Sequence, residues 1–409
     1  MKYVIIGNST AAIGCVEGIR SIDRQGEIVI ISREKYHTYC RPLISYLLLG
    51  ETDEQKMKYR PDDFYEKMGC ETRLGMGAKQ IQLKQKQIVL EDGEAIPYDK
   101  LMIATGSRPF IPPMEGLDQV PNKFTFMSLD DAKQLEQALT PQSRVLIIGA
   151  GLIGLKCAEG IQQRVKEIHV VDMADHILPS ILDEEGAKIV QEHIEKQGIH
   201  FHLNTSAQKL GKKEAVLQNG ERIPFDILVI AVGVRPNVEL AKEAGIRVER
   251  GICIDHRCET SAKQVYAAGD CVESHDITTD KNRILALLPN AYMQGECAGI
   301  NMAGGDKVFD KALPMNAIGF FGLHMVTAGT YQGIEYADKT PDTYKKLYVE
   351  GDRLMGFIII GKVERAGIYT SLIREKTPLS SIDFELVRQK PQLMAFSQKE
   401  RKKKLGGAV

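Results

Sequence analysis

The chain contains no tryptophan, no C-x-x-C pair, no long apolar run and almost no net charge. Each absence removes a class of function. No segment approaches the roughly 18 uninterrupted apolar residues of a membrane-spanning helix. Lys plus Arg number 53 against 54 Asp plus Glu, a net charge of −1, so nothing global points to nucleic acid. The eight cysteines, Cys15, Cys40, Cys70, Cys157, Cys253, Cys258, Cys271 and Cys297, are scattered. Their spacing matches no zinc ribbon, thioredoxin-type dithiol or cysteine-ligated iron–sulfur centre. The nine histidines show no ligand spacing; His200 and His202 merely alternate along a strand, so no metal is expected. Scattered thiols suit a reducing compartment, and the opening MKYVIIG reads as strand rather than signal peptide, so the expectation is a cytoplasmic protein.

What is present is ordinary soluble composition: 409 residues, 43% hydrophobic, 26% charged and 37 glycines, enough for two or three domains. Lys2 to Ile6 is a short apolar run ending at Gly7. Ile13 to Ile22 has helical spacing, and Glu27 to Ile31 is a second β-branched run, which together make a β-α-β start. The same grammar returns with Arg144 to Ile148, the turn Gly149-Ala150-Gly151-Leu152-Ile153-Gly154, a helix, and the strand Glu167 to Val171. Between them, residues 109–121 hold four of the 16 prolines and read as a linker. Beyond about 310, Tyr344 to Glu350 and Arg353 to Ile360 flank Gly351-Asp352 as an antiparallel hairpin, which predicts a third, α+β domain. The last eleven residues read as a solvated basic tail.

A glycine-rich turn between strand and helix lets backbone N–H groups approach a pyrophosphate at the positive helix end. The loop with Gly149, Gly151, Leu152, Ile153 and Gly154 meets the required context, with Asp172 closing the next strand. An acid there accepts from ribose hydroxyls and repels a 2′-phosphate; with no Arg immediately after it, NADH is favoured over NADPH. The alternative is a plain structural β-α-β turn. The first loop, Gly7-Asn8-Ser9-Thr10-Ala11-Ala12, keeps only its first glycine, with Ser9 and Ala12 at the other two positions. Both are small enough for close approach.

Five segments then occur in order: Tyr39-Cys40-Arg41-Pro42-Leu43-Ile44-Ser45, Ala104-Thr105-Gly106-Ser107-Arg108-Pro109, the second glycine loop, Ala231 to Asn237 around Gly233, and Val265 to Asp270. This assembly resembles the FAD- and NAD-dependent pyridine nucleotide-disulfide oxidoreductase superfamily, over about residues 1–375. It is most similar to the branch of NADH:rubredoxin reductases, NADH nitrite reductase flavin regions and ferredoxin reductases. The resemblance implies an α/β, glutathione-reductase-like fold: two Rossmann-like domains and a small α+β C-terminal domain. It implies a discontinuous FAD domain (1–110 and 240–310), an NAD domain (111–239), the α+β domain (311–385) and a basic tail (386–409). For FAD it implies the Gly7–Ala12 loop, Glu34 on the ribose, Arg41 on the phosphates, the Ala78 backbone at the adenine, Ala104, Thr105 and Gly106 along the diphosphate, and Gly269 and Asp270 at the ribityl chain. The helix from Pro289-Asn290-Ala291 would aim its N-terminus at the flavin ring. For NADH it implies the Gly149 loop, Asp172 and Gly233.

Two departures from that branch stand out. Its Lys after the serine of the R-P segment is Tyr46 here, and its Glu two residues past the third glycine is Lys156. A Lys near a helix N-terminus opposes the dipole, so Lys156 is expected to face the cofactor cleft and find an acidic partner, the alternative being solvent. Cys40 lies in the segment expected beside the flavin, where Arg41 would lower its pKa. Three functions follow. The first is an FAD-dependent NADH oxidoreductase feeding a small acidic iron–sulfur protein or a partner reductase subunit, as monomer or homodimer. The second is a single-cysteine NADH oxidase, peroxidase or coenzyme A disulfide reductase using Cys40. The third is an NADH-sensing binding module. The basic run Lys399 to Lys404 would steer an acidic partner or simply solubilise the end of the chain.

Overall fold

The computed structural model describes residues 1–406. Two five-stranded parallel sheets carry the same loop in the same place. The first runs in the order Val265–Ala267, Lys100–Ile103, Lys2–Ile6, Glu27–Ser32, Cys70–Leu74. The second runs Ile199–His202, Glu167–Val171, Arg144–Ile148, Ile227–Ile230, Lys123–Phe124. Their central strands, KYVII and RVLII, are apolar throughout because parallel strands are covered on both faces. Ile6 pairs in register with Ile31 and Ile103; Ile148 pairs with Val171 and Ile230.

The chain leaves the first sheet and re-enters it at one crossing, where Ser107–Pro109 pairs antiparallel with Val234–Pro236. Asn237 locks the crossing. Its Nδ2 donates to the Thr105 carbonyl at 2.9 Å, its N–H to the Gly106 carbonyl at 2.9 Å, and its carbonyl accepts Thr105 Oγ1 at 2.7 Å. Behind the first loop, helices Thr10–Ile22 and Leu288–Met302 touch backbone to backbone. Gly14 and Gly18 lie against the Tyr292 and Glu296 backbone, Gly299 lies against Cys15, and a Cβ on Gly295 would lie 2.0 Å from the Ala11 carbonyl oxygen.

The third body is an antiparallel sheet, Met315–Phe320, Leu323–Gly329, Arg353–Ile360, Tyr344–Glu350, Ile334–Lys339. Alternation sends Ile358 and Ile360 into the core of the second parallel sheet, with Phe320, Met325, Tyr344 and Tyr348. Phe357 and Ile359 face the other way, against helix Gly367–Arg374. The residues from 386 onward are not simply a solvated tail. Val387 and Phe396 are buried in that second core, and helix Gln398–Gly406 follows. Apolar side chains among the charges anchor this stretch; residues 407–409 of the expected tail lie outside those described. Tyr39, Ile44, Leu48 and Met57, although early in sequence, also pack into the core of the second parallel sheet. Among the described residues no helix is long and apolar enough to cross a membrane.

Candidate dinucleotide sites

The two loops repeat one geometry. Gly7 has φ +126°, its N–H donates to the Ile31 carbonyl at 2.8 Å, and a Cβ there would lie 2.1 Å from the Ala104 carbonyl oxygen. Gly149 has φ +116°, donates to Val171 at 2.8 Å, and meets the Ala231 carbonyl oxygen at 2.4 Å. These first glycines exist because the chain passes against its own backbone. Gly154 is fixed likewise, since a Cβ there would lie 2.0 Å from the Gly149 carbonyl oxygen. Gly151 is different: a Cβ there would meet nothing within 4 Å, and the same holds for Gly106 and Gly233. Space in front of a loop that the protein itself does not need is space for a ligand.

Around the first loop the structure joins Glu34, Tyr39 and Arg41. Glu34 pairs with the Arg41 guanidinium and accepts Tyr39 Oη at 2.7 Å. Tyr39 Oη also accepts the Leu129 N–H at 3.0 Å, which ties this arm to helix Leu129–Ala138. Residues 75–77 lie alongside, with the Gly75 N–H on the Glu34 carbonyl, and lead into Ala78, which is buried. Ser9 caps helix Thr10–Ile22 by position, without a side-chain bond. Ser107 Oγ donates to Asp270 at 2.9 Å; burial pushes the Asp270 carboxyl up, opposed by that bond and by the Arg41 charge. The Gly269 N–H donates to Gln294 Oε1 at 2.8 Å, which brings the start of helix Leu288–Met302 to the same place. Thr105 and Gly106 stand beside it, held by Asn237.

At the second loop, Asp172 Oδ2 accepts the Ala150 N–H at 2.7 Å and Oδ1 the Ala174 N–H at 2.9 Å. The carboxylate therefore shapes the glycine turn itself, a role sequence spacing does not reveal. Each oxygen keeps acceptor capacity for a hydroxyl. Leu152 and Ile153 open the helix Leu152–Ile161.

Residues 1–295 match the pyridine nucleotide-disulphide oxidoreductase family. The chain belongs to this family. It is 28% identical over 394 residues to the NADH-dependent phenylglyoxylate dehydrogenase subunit epsilon of Aromatoleum evansii, covering 93% of each. It is 30% identical to the assimilatory nitrate reductase electron transfer subunit of Bacillus subtilis, with 92% of this chain aligned but only 49% of that protein. The chain thus spans nearly all of the first relative and about half of the second. A solved putidaredoxin reductase–putidaredoxin complex shares the fold, at TM-score 0.87 and 22% identity over 100% of this chain and 99% of that one.

As a family member the protein is an FAD-dependent NADH oxidoreductase, and its residues fit both cofactors. His37 Nε2 and Thr38 Oγ1 are buried without a partner at the first loop, and His37 lines the same pocket as Asn8, Ser9 and Glu34. Buried polar atoms rarely stay unpaired, so a ligand with donors and acceptors belongs there. Gly151, with its open Cβ direction at the N-terminus of its helix, would leave the corresponding room for the NADH pyrophosphate.

One sequence expectation is corrected here. Arg41 does not activate Cys40: its charge is turned onto Glu34 and Tyr39, and burial pushes the Cys40 thiol up, only partly offset by the Leu43 amide. Lys156 pairs with Glu159, three residues along its own helix, and reaches the Gly319 carbonyl of the C-terminal sheet. Sequence reasoning missed His37, Thr38, Tyr39, Gln294, Asn237 and Glu159. The available signal was the paired G-x-x-x-G spacing of Gly14/Gly18 and Gly295/Gly299, which marks two helices in contact.

Proposed function

We propose that this chain carries electrons from NADH through FAD to a separate redox protein, a small acidic iron–sulfur protein or a partner reductase subunit. The observation that carries this is the state of Cys40. With Arg41 held by Glu34 and Tyr39 and the thiol pushed up by burial, Cys40 lacks the engaged positive neighbour that activates a redox thiol, which favours the flavin over Cys40 as the two-electron centre. Relatives named as a dehydrogenase subunit and an electron transfer subunit support the same reading.

When bound, FAD supplies hydride acceptance from NADH and electron delivery to the acceptor. The chain's residues bind and orient. The Gly149–Gly154 loop offers backbone N–H groups to the NADH pyrophosphate, and Asp172 accepts from the ribose and opposes a 2′-phosphate. Glu34, Arg41, Thr105 and Asp270 hold the flavin nucleotide. The first turn of Leu288–Met302, with Ala291 beside Gly269, presents its positive end to that site and favours negative charge on the bound ring. Lys399 and Lys402, both exposed, add positive charge that steers an acidic partner.

The test compares NADH consumption with an acidic rubredoxin or ferredoxin against consumption with oxygen, across ionic strength. The expected result is a rate about tenfold or more above that with oxygen, falling as salt rises. An oxygen rate equal to or above the protein rate would overturn the reading.

A further inference from the structure

The two nucleotide loops sit on different sheets, so their separation is set by whatever joins the bodies. One side chain joins the second glycine-loop helix to the C-terminal sheet and to the helix that follows the Glu34–Arg41 arm of the first loop. Lys156 lies one turn into helix Leu152–Ile161, which begins at the second glycine loop. Its ammonium pairs with Glu159 and donates to the Gly319 carbonyl of the C-terminal sheet at 3.3 Å. It stands 4.3 Å from the ring centroid of Tyr46, on helix Ile44–Leu49. The other Glu159 oxygen accepts the Phe321 N–H at 2.6 Å, and a His193 ring nitrogen lies 3.0 Å from the Phe321 carbonyl. Phe321 and Gly322, at φ +48° and +82°, form a tight hairpin tip held by Glu159 and His193. The two helices meet closely: a Cβ on Gly160 would lie 3.0 Å from the Ser45 carbonyl oxygen.

The Lys156 and Glu159 side chains are only 12% and 7% exposed. An ion pair at the surface is soft and samples many geometries. A pair removed from water, with backbone partners on a second segment and an aromatic face on a third, has one arrangement. We propose that Lys156 and Glu159 form a positioning clasp, which fixes the nucleotide helix relative to the FAD half so that the NADH and flavin sites meet. The clasp acts through the helix that begins at the second glycine loop. Its effect is large because hydride donor and acceptor must approach to about 3–3.5 Å, and a shift of about 1 Å costs on the order of 100-fold. The proposal rests on hydride transfer from NADH to bound flavin, not on the identity of the acceptor.

The test is anaerobic stopped-flow reduction of the bound flavin by NADH in wild type and in Lys156→Met/Glu159→Leu, which removes both buried charges together. The expected result is an NADH Kd within about threefold of wild type and a limiting reduction rate lower by about tenfold or more. Hydrogen exchange of the 319–322 amides, measured without NADH, is expected to quicken as Phe321 loses its acceptor. A limiting rate within about twofold of wild type would overturn the clasp, whatever the change in stability, since a merely structural pair moves the melting point and not the saturated rate. Should the double variant not load flavin, Tyr46→Leu decides. It leaves both charges in place, and a limiting rate about threefold lower at unchanged Kd supports the clasp, while an unchanged rate sinks it. Wild-type flavin that NADH fails to reduce would instead refute the oxidoreductase reading beneath it.

Discussion

Gly7→Ala is expected to yield protein that carries almost no flavin. The added Cβ would sit 2.1 Å from the Ala104 carbonyl oxygen, and Ala104 is itself buried in the adjoining strand end, so no flexible side chain can yield. The φ of +126° adds backbone strain of about 1–3 kcal/mol, and the overlap about as much again. The loop must shift, and with it the helix N-terminus beside His37 and Glu34. Gly151→Ala is the contrast, since φ there is −85° and nothing lies within 4 Å. It is expected to fold and load FAD fully while losing NADH affinity, because its methyl group fills ligand space rather than protein. Flavin absorbance per mole of protein reads the first variant, and NADH titration the second. Full flavin loading in Gly7→Ala would refute the assignment of that loop.

Glu159→Leu is expected to cost about 3–5 kcal/mol of stability, the scale for stripping one partner from a buried ion pair. The variant leaves the Lys156 ammonium against the Gly319 carbonyl and two aromatic rings, and orphans the Phe321 N–H. Adding Lys156→Met is expected to recover most of the loss, because two apolar side chains tolerate the site better than one unpaired charge. Urea denaturation of the two singles and the double measures the cycle. A Glu159→Leu midpoint equal to wild type would mean that the pair is solvated and carries no coupling.

Much of this was legible in the chain because it is local. Apolar runs ending at Gly7 and Gly149 encode strand-loop-helix units directly, and Asp172 is found by its distance from the second loop. What was not legible is long-range. Tyr39 meets Leu129, Asn237 meets Thr105, and Gln294 meets Gly269 only after the sheets assemble. Cys40 shows why adjacency misleads. Arg41 follows it in sequence, yet the guanidinium is drawn to Glu34, and the thiol experiences burial instead. Lys156 was visible as an oddity, and its acid lay three residues away, but nothing local places Tyr46 and Gly319 beside it. At the C-terminus the charge run drew attention from the short apolar stretches Leu386-Val387 and Leu393 to Phe396, whose Val387 and Phe396 anchor the segment.

FAD, and not Cys40, is expected to be the two-electron centre of this chain. Anaerobic titration of the FAD-loaded protein with NADH decides between them. One equivalent of NADH per flavin for full reduction, unchanged in Cys40→Ser, is the predicted result. Two equivalents, falling to one in Cys40→Ser, would contradict it and make Cys40 a redox centre.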